Sequence, residues 1–308
     1  MLTNCDVKVM LKISARYYLL EATNKSDKLF PVSGERAKRL KSVLTNMLGD
    51  FQTRCELNGI TPFLVYGSAL GAYRHKGFIP WDDDVDVAVT REDWNHLKDI
   101  FEEVFSDKYV LEGPNYGNKD AAATWGKVFL KGTRFVELIN INTPYNKGIY
   151  LDIFIIDGLA DNKLIRIFDY LFARCMRFVA NSMAYYNYPS DLMNEIMSVS
   201  WNTKIYLWSR KLIGFLFSWI SHKKLISFFD CFVSRHTKSN DTIIDYYDGI
   251  TRRGVWFPVK KTPFETILAN VPPNIEEFLE SVYGKDYMKL PPENQRQHHF
   301  CVELDFGE

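Results

Sequence analysis

Four aspartates fall within five positions, 82 to 86, in the segment YGSALGAYRHKGFIPWDDDVDVAV that runs from residue 66 to residue 89. Carboxylates crowded this closely repel one another, so something must offset their charge. A solvated acidic turn is the usual fate of such a run. Here Ile79 and Trp81 precede the cluster and valines interleave it, which places it at the opening of a buried strand. Asp82, Asp84 and Asp86 also match the first, third and fifth positions of an EF-hand loop. That loop needs glycine sixth and a bidentate glutamate twelfth, where this chain has Val87 and Asp93. The better reading is a Mg²⁺ or Mn²⁺ site. The alternation from Asp84 to Val89 puts Asp84 and Asp86 on one strand face, where two carboxylates can grip a hard cation beside substrate phosphates. Asp82 shares their parity as a helper, and Asp83 lies off that face.

A D-x-D pair alone is a weak signal, and its company sharpens it. Upstream, Gly67 and Ser68 end one strand and open a short helix, so backbone N–H groups and a hydroxyl can face a phosphate. Downstream, Asp152 stands alone among apolar residues in IYLDIF, where an unpaired carboxylate would be costly to bury. With Asp84 and Asp86 it would complete a metal-binding triad. Strand, Gly-Ser, short helix, strand with D-x-D and a later strand with one more aspartate is the layout of the nucleotidyltransferase superfamily.

These residues need elements to hold them. Residues 33 to 59 read as an amphipathic helix, with Leu40, Val43, Leu44, Met47, Leu48 and Phe51 at spacings of three and four, Ser33 to cap it and Gly59 to end it. TPFLVY reads as a short strand, ALGAYRH as one or two helical turns, and a helix follows from Glu92 to about Phe105. TWGKVFL, TRFVELI and GIYLDIFIID read as three more strands. Residues 163 to 236 read as long aromatic helices. In the tail, RRGVWFP reads as a strand, PNIEEFLESVYG as a helix begun at Asn274 and ended at Gly284, and LPPENQRQHH as a loop. The expected class is α+β, a nucleotidyltransferase-like mixed sheet flanked by helices. Residues 1–32 would be an N-terminal extension, 33–160 the catalytic core, 161–248 a helical insertion and 249–308 a C-terminal segment packing back on the core.

At this point the sequence resembles a family. YGSALGAYRHKGFIPWDDDVDVAV is similar to the signature of LicD-type proteins, bacterial phosphocholine transferases related to fukutin and fukutin-related protein. GIYLDIFIIDG resembles their second block, and the segment from Phe257 to Pro292 resembles their C-terminal block. The likeness covers about residues 35 to 160 and 250 to 300. It implies transfer of a substituted phosphate, with phosphocholine leading, from a CDP-activated donor such as CDP-choline to a hydroxyl of a cell-surface glycan or its lipid-linked precursor, with CMP leaving. Lipopolysaccharide, teichoic acid or capsule would be the acceptor. It further implies Asp84, Asp86 and Asp152 as metal ligands, with Asp82 beside them, and Asp152 as a ligand or the base that takes the acceptor proton. Gly67 and Ser68 would hold donor phosphates, and Arg74 would bridge phosphate oxygens through its planar fork. His75, Lys127, Arg296 and His298 are further substrate-binding candidates, with His299 beside them in the tail. A choline head would want an aromatic cage, for which Tyr145, Tyr150, Trp125 and Trp256 are candidates.

Several rivals stay open. CDP-ribitol or CDP-glycerol could be the donor. A D-x-D glycosyltransferase would use a UDP-sugar but gives Gly67, Ser68 and Asp152 no task. A nucleotidyltransferase proper would release pyrophosphate, and a non-catalytic assembly factor would keep the metal for stability. Lysine plus arginine balances aspartate plus glutamate at 38 each, so no global field points to nucleic acid. Five scattered cysteines without C-x-x-C spacing fit a reducing compartment and a cytoplasmic protein. No apolar run approaches the ~20 residues of a membrane span, and the N-terminus lacks a signal-peptide core. Residues 201–229, with Trp208, Phe215, Phe217, Trp219, Phe228 and Phe229 flanked by Arg210, Lys211, Lys223 and Lys224, admit two readings. They suit a peripheral contact at the inner face of the membrane, and a buried helical subdomain, the favoured of the two, explains the same residues.

Overall fold

The three-and-four spacing of the first helix does what it predicts. Helix α1 (Gly34–Leu57) buries Leu40, Leu44, Met47, Leu48 and Phe51, while Ser33 takes the extended N-cap position without a side-chain bond. The computed structural model describes residues 29, 32–118, 123–236, 242–245, 249–292, 296 and 299–307. Beyond α1, the short strand β1 (Phe63–Leu64) leads into helix α2 (Tyr66–His75). Strand β2 (Asp86–Thr90) then runs into helix α3 (Arg91–Val104), where the Thr90 hydroxyl accepts the Asp93 N–H and caps the first turn.

Strands β3 (Tyr109–Glu112), β4 (Gly126–Leu130) and β6 (Tyr150–Gly158) complete a sheet ordered β1-β2-β6-β4-β3. Its centre is the parallel pair β2–β6, with antiparallel neighbours on both sides. All nine residues of β6 are buried, as its near-continuous apolar run demands. Strands β7 (Thr242–Asp245) and β8 (Gly249–Arg252) extend the end of β6. Strand β5 (Arg134–Glu137) pairs instead with β11 (Cys301–Asp305), which the loop expected for the tail did not anticipate. The strand expected at RRGVWFP is also corrected. Pairing ends at Arg252, and α8 (Arg253–Trp256) is a single helical turn that drops Trp256 into the core against Phe63 and Phe278. A hairpin of β9 (Lys260–Phe264) and β10 (Ile267–Val271) and helix α9 (Ile275–Tyr283) follow. Sheet and helices mix as an α+β fold.

Between β6 and β7 come α4 (Lys163–Asn187), α5 (Asp191–Ile196), α6 (Trp201–Phe217) and α7 (His222–Ser234). The Asn162 side chain caps α4, and a Ser200–Thr203 capping box starts α6. One buried ion cluster ties these helices to the sheet. Arg91 donates to Asp157 of β6 at 2.8 and 2.7 Å and to Asp230 of α7 at 2.6 Å.

The turn ahead of the aspartates lies against α2 because Gly71 has no side chain. A Cβ there would drive into the Gly77 carbonyl and crowd the Ile79 N–H. Gly71→Ala is therefore expected to cost about 1–3 kcal/mol, read as a lower midpoint in denaturant unfolding. Lys41 of α1 fixes the same turn from the other side, donating to the Ile79 and Pro80 carbonyls at 3.1 and 3.0 Å.

Candidate active site

The register of the central strands aligns three charged side chains. Asp86 of β2 lies opposite Asp152 of β6, and Asp152 lies opposite Lys127 of β4. Directly opposed residues on neighbouring strands project from the same face, so the three form a row across the sheet. Asp84 precedes β2 and joins them: Asp84, Asp86 and Asp152 each offer an oxygen, and these lie within 4.8 Å of one another. Hard oxygen donors at that spacing fit a divalent cation such as Mg²⁺ or Mn²⁺.

Asp152 is held tightly. Lys127 Nζ lies 2.8 Å from its Oδ1, and the Trp125 indole N–H donates to the same oxygen at 2.7 Å. The Lys127 ammonium also sits 3.4 Å from the centre of the Tyr150 ring, so aromatic density and carboxylate share the cation. Lys127→Met removes the one cation paired with Asp152 among the described residues. It is expected to lower turnover by about tenfold to a hundredfold in a steady-state assay, with the melting temperature changed far less.

Gly67 and Ser68 sit at the start of α2, against the cluster. Ser68 Oγ accepts the Asp86 N–H at 2.9 Å, which anchors the first residue of β2 to the helix start. A Cβ on Gly67 would come within 2.9 Å of Asp82 Oδ2, so glycine lets this carboxylate close on the helix N-terminus. Burial, and next the charge of Asp84, push the Asp82 carboxyl well above the usual carboxylate range. Asp86 is raised for the same reasons, with Asp152 adding to Asp84. Crowding is thus a real cost here, and a bound cation would relieve it.

Asp83, expected off the working face, has its own partner. It accepts the His299 backbone N–H at 3.1 and 3.0 Å and pairs with His299 Nδ1 at 2.9 Å. His299 Nε2 lies 3.7 Å from Asp84 Oδ2 and 3.9 Å from Glu137 Oε2. Burial disfavours the imidazolium, but Glu137, Asp83 and Asp84 outweigh it and raise His299 well above its ordinary value. Glu137 also accepts the Tyr150 hydroxyl at 2.6 Å. Sequence reasoning missed Glu137 altogether. It reaches the cluster through β11, whose Cys301 pairs with it, and no local pattern marks that contact.

Other candidates go elsewhere. Arg74 and His75 stand at the far end of α2, about 10 Å along the axis from Gly67. Arg74 donates to His75 Nε2 at 2.9 Å and to the Tyr287 carbonyl at 3.2 Å, so these bonds, rather than the carboxylates, orient its fork. Arg296 stacks 4.6 Å over the Trp81 ring, beside the aspartate segment. His298 lies outside the described residues. Of the aromatic cage candidates, Trp256 is excluded because it is buried in the core, and Tyr150 is buried beneath Lys127. Trp125 lies nearly parallel to Phe154, with centroids 6.5 Å apart.

Residues 59–163 match the family described as LicD/FKTN/FKRP, nucleotidyltransferase domain. That span holds the Gly67-Ser68 turn, the aspartate cluster, Lys127 and Asp152, and it excludes the tail with Arg296 and His299. The chain is also 28% identical over 262 residues to a Haemophilus influenzae protein named lipopolysaccharide cholinephosphotransferase LicD, covering 83% of this chain and 93% of that one. An uncharacterized protein of Rickettsia prowazekii is 36% identical over 73 residues, 24% of this chain and 26% of its own. A Rickettsia typhi counterpart is 37% identical over 57 residues, 18% of each.

Proposed function

We propose, from the match of residues 59–163 to the LicD/FKTN/FKRP nucleotidyltransferase domain, that this chain transfers phosphocholine from CDP-choline to a hydroxyl of a cell-surface glycan such as lipopolysaccharide, or of its lipid-linked precursor. The observation that carries the reading is the convergence of Asp84, Asp86 and Asp152 with Lys127 on one sheet face beside a helix N-terminus. Likeness to the Haemophilus protein along most of both chains supports phosphocholine as the group moved.

In the transfer, the acceptor oxygen bonds to the phosphorus that carries choline, the bond from that phosphorus to CMP breaks, and the hydroxyl proton passes to a carboxylate oxygen of the cluster. Asp84, Asp86 and Asp152 would hold Mg²⁺ or Mn²⁺, which supplies charge neutralisation at the phosphate oxygens. Lys127 keeps Asp152 in place and adds positive charge on the same face. The backbone amides at Gly67 and Ser68 favour negative charge at the start of α2. His299, bound to Asp83, brings positive charge within 3.7 Å of Asp84.

The test incubates the protein with CDP-choline, CDP-ribitol or CDP-glycerol, a lipopolysaccharide acceptor, and either Mg²⁺ or EDTA, and follows CMP. Release that needs the cation and is fastest with CDP-choline is the expected result. Faster release from CDP-ribitol or CDP-glycerol would reassign the donor. No CMP from any of the three would overturn the transferase reading, and UDP release from a UDP-sugar would replace it with sugar transfer.

A further inference from the structure

Helix α6 packs against the protein by one side and is apolar on the other. One side buries Tyr206, Leu207 and Gly214. A Cβ on Gly214 would run into the Ser182 carbonyl and the Tyr186 side chain, so the helix lies hard against α4 and its rotation is fixed. The other side carries Trp201, Ile205, Trp208, Leu212, Phe215 and Trp219, at successive spacings of four, three, four, three and four. That is a single helical stripe, and all of it faces solvent. Trp201, Trp208 and Trp219 are 75%, 65% and 81% exposed. Trp219 itself lies just past the helix end, where its indole N–H donates to the Leu216 carbonyl at 3.0 Å. A buried helical subdomain therefore does not account for these residues.

Charge identifies what covers them. Residues 163–234 carry nine lysines and arginines against four acids, in a chain that is neutral as a whole. Two of those acids are buried and paired, Asp169 with Arg235 and Asp230 with Arg91. Lys204 lies one turn from the stripe, and Lys223 and Lys224 follow it at the start of α7, all three exposed. A second copy meeting this face about a two-fold axis would set these cations against themselves. An anionic bilayer surface meets both demands: tryptophan rings seat at the headgroup level, and lysines face the lipid charge. Among the described residues no helix is long and apolar enough to cross a membrane, so the helix would lie along the surface.

We propose that the outer stripe of α6 docks the protein on an anionic lipid bilayer, with the three tryptophans entering the interface. Such docking would bring the sheet-face site to acceptors carried on lipid.

The experiment is flotation of the full chain with vesicles of phosphatidylethanolamine and phosphatidylglycerol, and in parallel with phosphatidylcholine vesicles. The wild type is expected to float with the anionic vesicles and about tenfold less with the neutral ones. The exposed double variant Trp208→Ser/Trp219→Ser should lose about tenfold or more of its binding to anionic vesicles while melting at the wild-type temperature. Lys223→Glu/Lys224→Glu should lose only the preference for anionic lipid. A wild type that floats with neither vesicle overturns the proposal, and so does a tryptophan variant that floats as well as wild type. A wild-type dimer that the tryptophan variant converts to monomer, without flotation of either, would assign the stripe to a second copy. No turnover is read here, so failure would leave the transferase reading standing.

Discussion

Asp86→Asn should abolish transfer and at the same time make the metal-free protein more stable. The Asp86 carboxyl is buried beside Asp84 and Asp152, and that environment raises it well above the usual carboxylate range. Between the ordinary carboxylate value and the raised one, the folded chain holds a proton that the unfolded chain has released. Stability therefore falls as pH rises through that window, by the linkage of protonation to folding. Asparagine keeps the shape and removes the titration. The melting temperature of the variant minus that of the wild type should grow from pH 4 upward and level off above the raised value, at about 2 °C or more. Added Mg²⁺ or Mn²⁺ should raise the wild-type melting temperature and do much less for the variant. CMP release should drop about a thousandfold or more, the scale of losing charge neutralisation at phosphate oxygens. A variant that unfolds more readily without metal would instead give Asp86 a structural task.

How far the sequence foretold this site depends on which residue is asked about. Asp84, Asp86 and Asp152 meet in space, and their types and strand parity pointed there: a carboxylate alone in an apolar strand needs company. Lys127 was legible only as one lysine on a strand of the right half, because its partner depends on the β4–β6 register. Asp83 was set aside by parity, and parity was half the story. Its carboxylate grips His299, 216 positions later in the chain, and still has an oxygen within 4.8 Å of Asp84. Glu137 and β11 were invisible for the same reason, since CVELD has no alternation strong enough to predict a strand that pairs across such a distance. RRGVWFP misled because Val255 and Trp256 are core residues in either conformation, and burial alone does not distinguish a strand from one helical turn. For α1, apolar spacing over many turns left no such ambiguity.

Arg91 carries the largest expected effect away from the carboxylate site. Its guanidinium is buried with Asp157 and Asp230, and Asn115 Nδ2 donates to the second Asp230 oxygen at 2.7 Å. Burial disfavours the Arg91 cation, yet the two aspartates hold it charged. Arg91→Met would take away the guanidinium that the Asp157 and Asp230 carboxylates share in the interior. The expected loss is about 3–5 kcal/mol, the cost of an uncompensated buried charge rather than of the bonds themselves. In a protein of 308 residues, that lowers the melting temperature by about 5–8 °C. Adding Asp157→Asn and Asp230→Asn to Arg91→Met removes the stranded charges, so the triple variant should recover most of the loss; failure to recover would mean that Arg91 acts by its packing. Asp157 and Asp152 share β6 and stand about 16 Å apart along it, so the ion cluster and the carboxylate site occupy opposite ends of one strand. Below its melting transition the triple variant should therefore release CMP at close to the wild-type rate. A folded triple variant with slow release would instead show that the helices held by Asp230 act on the site through β6.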